Sequence, residues 1–124
     1  GGGANSVYAG AGNDLVTTQD GDDEIDGGAG HDELWLGAGH DSAYAGAGND
    51  MVQGADGDDE IDGGSGNDEL WAGAGADSVY AGGGDDLVVG GAGDDELDGG
   101  AGRDKVDGGS GNDECSGSEL EHSC

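Results

Sequence analysis

The chain has 124 residues, with 33 Gly, no Pro, no Phe, and 30 Asp plus Glu against 2 Lys plus Arg, giving a formal charge of −28. That length suits one small domain, and that charge repels nucleic acid and anionic membrane surfaces, so cations are the natural partners. No apolar run is long enough to insert in a membrane and no N-terminal signal peptide is legible; without its periodicity the composition would describe a disordered acidic tail.

The periodicity overturns that description. The N-terminus enters with Gly1-Gly2-Gly3-Ala4-Asn5-Ser6-Val7-Tyr8, in which Asn5 stands where every later turn carries aspartate. Asp14, Asp23, Asp32, Asp41, Asp50, Asp59, Asp68, Asp77, Asp86, Asp95, Asp104 and Asp113 follow, each nine residues after the last. Two residues beyond each comes an apolar one: Val7, Val16, Ile25, Leu34, Ala43, Val52, Ile61, Leu70, Val79, Val88, Leu97, Val106 and Cys115. Each nonapeptide is read as a tight Gly-x-Gly-x-Asp turn followed by a three-residue strand. The middle residue of that strand points inward, because side chains alternate along a strand. Two nonapeptides then make one coil of about 18 residues, with odd and even turns building two parallel sheets whose coils stack at about 4.8 Å. A slower period of 36 residues is superposed, since Asp20 to Gly27 returns intact at Asp56 to Gly63 and Asp32-Glu33-Leu34-Trp35 returns as Asp68-Glu69-Leu70-Trp71. This points to duplication of a four-turn block or to construction from one. The frame predicts a roll over 1–117 and a tail over 118–124, either a cap on the last sheet edge or a cloning remnant.

Turns of the same parity stack, so Asp14, Asp32, Asp50, Asp68, Asp86 and Asp104 are predicted to form one column and Asp23, Asp41, Asp59, Asp77, Asp95 and Asp113 the other. With one inward residue per turn the core is thin, and crowded carboxylates oppose folding, so the chain needs a counter-ion. Carboxylates plus carbonyls are oxygen-only donors, which favour calcium over transition metals and over strictly octahedral magnesium.

The frame Gly99-Gly100-Ala101-Gly102-Arg103-Asp104-Lys105-Val106-Asp107 reads Gly-Gly-x-Gly-x-Asp-x-apolar-x, with clean copies at Gly27–Trp35, Gly63–Trp71 and Gly90–Asp98. The sequence resembles the RTX (repeats-in-toxin) calcium-binding nonapeptide repeats of secreted bacterial proteins. The resemblance covers nearly the whole chain and implies an all-β, right-handed parallel β-roll that folds on binding several calcium ions outside the cell. It also implies that each ion lies between turns n and n+2. Its ligands would be both aspartates and turn carbonyls such as those of Gly28, Gly30, Gly64, Gly66, Gly91, Gly93, Gly100 and Gly102. Thirteen turns allow at most about eleven such pairs, roughly ten with Asn5 weakening the first, and eleven divalent ions would bring the charge to about −6.

Departures occur where the first glycine is replaced, at Ala9, Thr18, Leu36, Ala45, Ala72 and Ala81, and the second, at Gln19 and Ala55; sites there are expected to be weaker or differently coordinated. The residue before each aspartate varies and is assigned no ligand role, and His31 and His40, in successive turns, are expected on opposite edges as solvated turn residues rather than as a transition-metal pair. One sheet is predicted to display Leu15, Trp35, Met51, Trp71, Leu87 and Val89 outward, the other Tyr8, Tyr44 and Tyr80. Such a stripe suits self-association or docking, so the alternative function is a surface-binding solenoid: an adhesin, or a carbohydrate- or ice-binding face. Ice-binding faces carry rows of threonine, and only Thr17 and Thr18 occur here. Cys115 and Cys124 are either a disulfide, which would suit an extracellular protein, or two free thiols. No Ser/His/Asp or Cys/His arrangement, phosphate loop or zinc motif is legible, so the chain is read as a non-enzymatic module, natural or engineered.

Overall fold

The computed structural model describes residues 2–117 and 120–124. In chain order its strands are β1 (Ser6–Ala11), β2 (Leu15–Thr17), β3 (Glu24–Ala29), β4 (Glu33–Ala38), β5 (Ser42–Ala47), β6 (Met51–Asp56), β7 (Glu60–Ser65), β8 (Glu69–Ala74), β9 (Ser78–Tyr80), β10 (Leu87–Ala92), β11 (Glu96–Asp98), β12 (Asp104–Ser110), β13 (Glu114–Ser116) and β14 (Leu120–Ser123). Odd strands form one seven-stranded sheet and even strands the other, each in the order of the sequence. Every neighbouring pair is parallel, so the chain is a two-sheet β-solenoid with about 18 residues per coil.

The register is set by the nine-residue period. Val7, Ile25, Ala43, Ile61, Val79, Leu97 and Cys115 lie side by side across the odd sheet. Val16, Leu34, Val52, Leu70, Val88 and Val106 do so across the even sheet. These two rows face each other and form most of the buried core. The core is nevertheless thicker than one inward residue per turn. Most strands run six residues, and β3 buries both Ile25 and Gly27, two positions apart. The first glycine position of the repeat therefore points inward, within the strand itself where the strand runs six residues or more and just beyond its end at Thr18, Ala81 and Gly99. Where it carries a side chain, that side chain enters the core: Leu36, Ala45, Ala72, Ala81 and Thr18 are all buried. The departures from glycine at this position fill the interior.

The turn proper shrinks to three residues, such as Gly30-His31-Asp32. Its leading glycine is needed on two counts. Gly48 has φ +139, and a Cβ there would fall on the carbonyl oxygen of Gly30 in the preceding coil. The same position is glycine in every turn from Gly3 to Gly111. The second glycine position also takes positive φ, and Ala55 is held there at φ 90, a region that costs an L-residue about 1–2 kcal/mol. Gln19 does not adopt positive φ; β2 stops at Thr17, and only the isolated bridge between Asp20 and Ala38 continues the ladder.

At the C-terminal end β14 adds to the edge of β12, pairing Asp104 with Leu120 and Asp107 with Ser123. Cys115 and Cys124 form a disulfide, with Cα atoms 6.3 Å apart, tying the end of β14 to β13. Of the expected tail, residues 118 and 119 lie outside the described residues.

Candidate metal centre

Each column aspartate sits at the end of a turn, immediately before a strand or, at Asp104, as its first residue, so its position repeats with the coil. Along one edge the backbone N–H of Asp14 donates to Asp32 Oδ1 (2.9 Å), that of Asp32 to Asp50 Oδ1 (2.8 Å), and so on through Asp68 and Asp86 to Asp104. Along the other edge Asp23, Asp41, Asp59, Asp77, Asp95 and Asp113 are linked in the same way, at 2.7 to 3.1 Å. Ten aspartate–aspartate rungs result, five on each edge, each a backbone N–H donating to the carboxylate one coil on. Each column aspartate from Asp23 to Asp104 is at most 3% exposed.

Only half of each carboxylate is used. The Oδ2 atoms of Asp14, Asp23, Asp32, Asp41, Asp50, Asp59, Asp68, Asp77, Asp86, Asp95 and Asp104 are buried without a hydrogen-bond partner. Leaving a buried acceptor unsatisfied is costly, more so when it carries charge. These oxygens share a small cradle beside the first glycine position. The place a Cβ would take at Gly27 lies 2.8 Å from Asp32 Oδ2 and 2.6 Å from the Ala45 carbonyl oxygen, and at Gly63 it lies 2.8 Å from Asp68 Oδ2 and 2.6 Å from the Ala81 carbonyl oxygen. Of the glycine carbonyls, that of Gly64 already accepts the Gly83 N–H at 3.1 Å, whereas Gly30, Gly66, Gly93 and Gly102 lie in the turns.

Electrostatics match this picture. Burial, offset in part by the backbone hydrogen bond from the preceding coil and reinforced by neighbouring carboxylates, pushes Asp59 and Asp68 up to about 6. Burial likewise raises Asp41, Asp50, Asp77, Asp86 and Asp95. Asp23 goes the other way. Burial again acts to raise it, but hydrogen bonds from the Asn5 side-chain amide and the Asn5 backbone N–H outweigh burial and lower it. A row of buried carboxylates with open acceptor oxygens beside backbone carbonyls is a donor set for a hard, oxygen-seeking cation. The oxygens of one rung come from two carboxylates and the backbone, so among the described residues no three acidic, histidine or cysteine side chains converge on one point.

The residue before each aspartate has a role that the sequence reading missed. Where it is Asn, Asp or His, its side chain accepts the backbone N–H of the equivalent residue one coil on, a role that Ala76 and Arg103 cannot fill: Asn13 accepts from His31, His31 Nδ1 from Asn49 (2.7 Å), Asn49 from Asn67 and Asn67 from Asp85 on one edge. On the other edge Asp22 accepts from His40, His40 Nδ1 from Asp58 (3.2 Å), Asp58 from Ala76 and Asp94 from Asn112. The position tolerates Asn, Asp or His because each places an acceptor on the γ or δ atom. His31 and His40 accordingly lie on opposite edges, each bound into its own ladder.

On the outer face of the even sheet, Trp35 and Trp71 flank Gln53 in one row, and Leu15, Met51 and Leu87 alternate with Glu33 and Glu69 in the next. The indole N–H groups donate to Glu33 (2.8 Å) and Glu69 (3.1 Å) on their own strands. Leu15, Trp35, Met51 and Trp71 are exposed, while Leu87 and Val89 are half-buried. Tyr8, Tyr44 and Tyr80 alternate with Asp26 and Asp62 on the odd sheet.

A family model for the RTX calcium-binding nonapeptide repeat, four copies to the model, matches overlapping stretches at residues 1–34, 18–52, 35–70, 53–88, 62–96 and 80–115. No curated protein sequence matches the chain.

Proposed function

The chain belongs to the RTX calcium-binding nonapeptide-repeat family, and from that premise we propose that it is a module whose folding is driven by filling the two aspartate columns with calcium. The observation that carries this reading is the buried, partnerless Oδ2 on successive aspartates of both columns. The proposed ligands are Asp14, Asp23, Asp32, Asp41, Asp50, Asp59, Asp68, Asp77, Asp86, Asp95, Asp104 and Asp113, with backbone carbonyls of the adjoining coils. Bound calcium would supply the positive charge and the electron-pair acceptor that these oxygens otherwise lack. The chain's own part is to space the carboxylates one coil apart, to fix one oxygen of each by a backbone N–H, and to keep the other turned inward. Without the ion, ionised rungs repel within a shielded environment and favour the open chain. Ligand binding to the folded form alone then stabilises it by mass action, rung by rung.

Repeats of this family are typical of secreted bacterial proteins. An extracellular setting suits a chain that stays open where calcium is scarce and folds where it is plentiful, and it suits the Cys115–Cys124 disulfide. Equilibrium dialysis of chelator-stripped protein tests the binding claim. About ten calcium ions per chain, with magnesium unable to displace them at equal concentration, is the expected result. Uptake of one or two ions, or equal uptake of magnesium, would refute it.

A further inference from the structure

One rung differs in kind from the ten that join two aspartates. At the N-terminal end of the odd-numbered strands' column, Asn5 takes the aspartate position. Its backbone N–H donates to Asp23 Oδ1 at 2.7 Å, as in every other rung. In addition, its side-chain Nδ2 donates to the same Asp23 oxygen at 2.8 Å and to the Gly3 carbonyl at 2.5 Å. Elsewhere in the columns a carboxylate faces a carboxylate and an acceptor remains open. Here an amide donor meets Asp23 Oδ1 and the Gly3 carbonyl together, so the rung holds a donor where the others hold a second carboxylate, while Asp23 Oδ2 itself stays without a partner. The cradle beside Asp23 is altered as well: Thr18 stands at the first glycine position, is 6% exposed, and its hydroxyl donates to the Leu36 carbonyl.

We infer that Asn5 is a metal-free cap on Asp23, its side-chain amide filling by hydrogen bonds the place in this rung that calcium fills elsewhere. The inference rests on the calcium reading above and adds a count to it. A neutral amide fills this rung without depending on calcium and without adding a further negative charge to the column. The backbone N–H of Glu24, which donates to the Asn5 carbonyl at 2.8 Å, then keeps the first coil against the second.

The test compares Asn5→Asp and Asn5→Ala with the unaltered chain, counting bound calcium by equilibrium dialysis and following amide exchange over residues 5–24 in saturating calcium. The account expects Asn5→Asp to bind one more ion per chain and to keep its protection. Asn5→Ala should bind the same number as the unaltered chain, with the Glu24 amide exchanging about tenfold faster because the cap is lost. An unchanged count in Asn5→Asp, or one ion fewer in Asn5→Ala, would overturn the cap while leaving calcium binding by the columns intact. An unaltered chain that takes up no calcium would instead refute the calcium reading itself, and the cap with it.

Discussion

Two adjacent carboxylates, Asp58 and Asp59, separate the metal column from the ladder beside it. Asp59 is 3% exposed, accepts the Asp41 N–H at 2.9 Å through Oδ1, donates its own N–H to Asp77 and leaves Oδ2 without a partner. Replacing it by Asn keeps the shape and the Oδ1 acceptor but turns the open oxygen into a donor. In calcium, two rungs share Asp59. Each rung at a hundredfold excess of ion over its Kd contributes about 2.7 kcal/mol, so losing both costs about 5 kcal/mol. In chelator the sign reverses. Asp59 is raised from 3.8 to about 6 by burial first and by Asp41 and Asp77 after it. Two such units correspond to about 3 kcal/mol, which screening by water at the turn reduces to on the order of 1 kcal/mol gained by neutralising the group. Asp58, whose side chain is 59% exposed, accepts the Ala76 N–H at 2.9 Å, a bond that Asn retains; Asp58→Asn should change stability by less than about 0.5 kcal/mol in either condition. Urea unfolding in calcium, and folding induced by trimethylamine oxide in chelator, read the two arms. An Asp59→Asn variant equally weakened with and without calcium, or an Asp58→Asn variant that behaves like it, would refute the assignment.

Other parts of the structure make separate predictions. Ala55 at φ 90 should accept glycine with a gain of about 1 kcal/mol, measured by urea unfolding in calcium; a loss would mean that its methyl group is needed. The raised acids have folded values above their unfolded ones, so protonation favours the metal-free roll. That stabilisation is complete below about pH 3.8 and disappears as pH rises through about 6, the value for Asp59 and Asp68. Circular dichroism in chelator should therefore show more β-structure at pH 4 than at pH 7, while calcium affinity falls over the same interval. Removing the Cys115–Cys124 bridge, which links residues nine apart, with Cys124→Ser should cost about 2–3 kcal/mol in urea unfolding and leave the calcium count unchanged.

Much of the fold was legible because one position in nine carried an invariant chemistry. The aspartate spacing alone placed Asp14 beside Asp32 and Asp23 beside Asp41, and the apolar residue two positions on gave the register that joins Ile25 to Ala43 and Leu34 to Val52. The second inward position was hidden because glycine holds it at Gly27, Gly54, Gly63, Gly90, Gly99 and Gly108, and a residue without a side chain shows no hydropathy. Leu36 and Thr18 were the visible clue, and they read as faults in a turn. The ladder of residues before the aspartates was hidden for a different reason. Asn, Asp and His look unrelated by charge or hydropathy and become one class only when grouped by their acceptor atom, as His31 and Asn49 show. Asn5 stood out as an exception, but the bonds from its amide to Asp23 and Gly3 depend on coordinates rather than spacing.

The central claim is that calcium in the aspartate columns makes this chain fold. A calcium titration of chelator-stripped protein at pH 7, followed by far-UV circular dichroism and by Trp35 and Trp71 fluorescence, tests it most directly. The account predicts an open chain in chelator and a cooperative rise of β-structure with calcium, completed as about ten ions bind and not reproduced by magnesium. A chain already folded in chelator, with its spectrum unmoved by calcium, would contradict it.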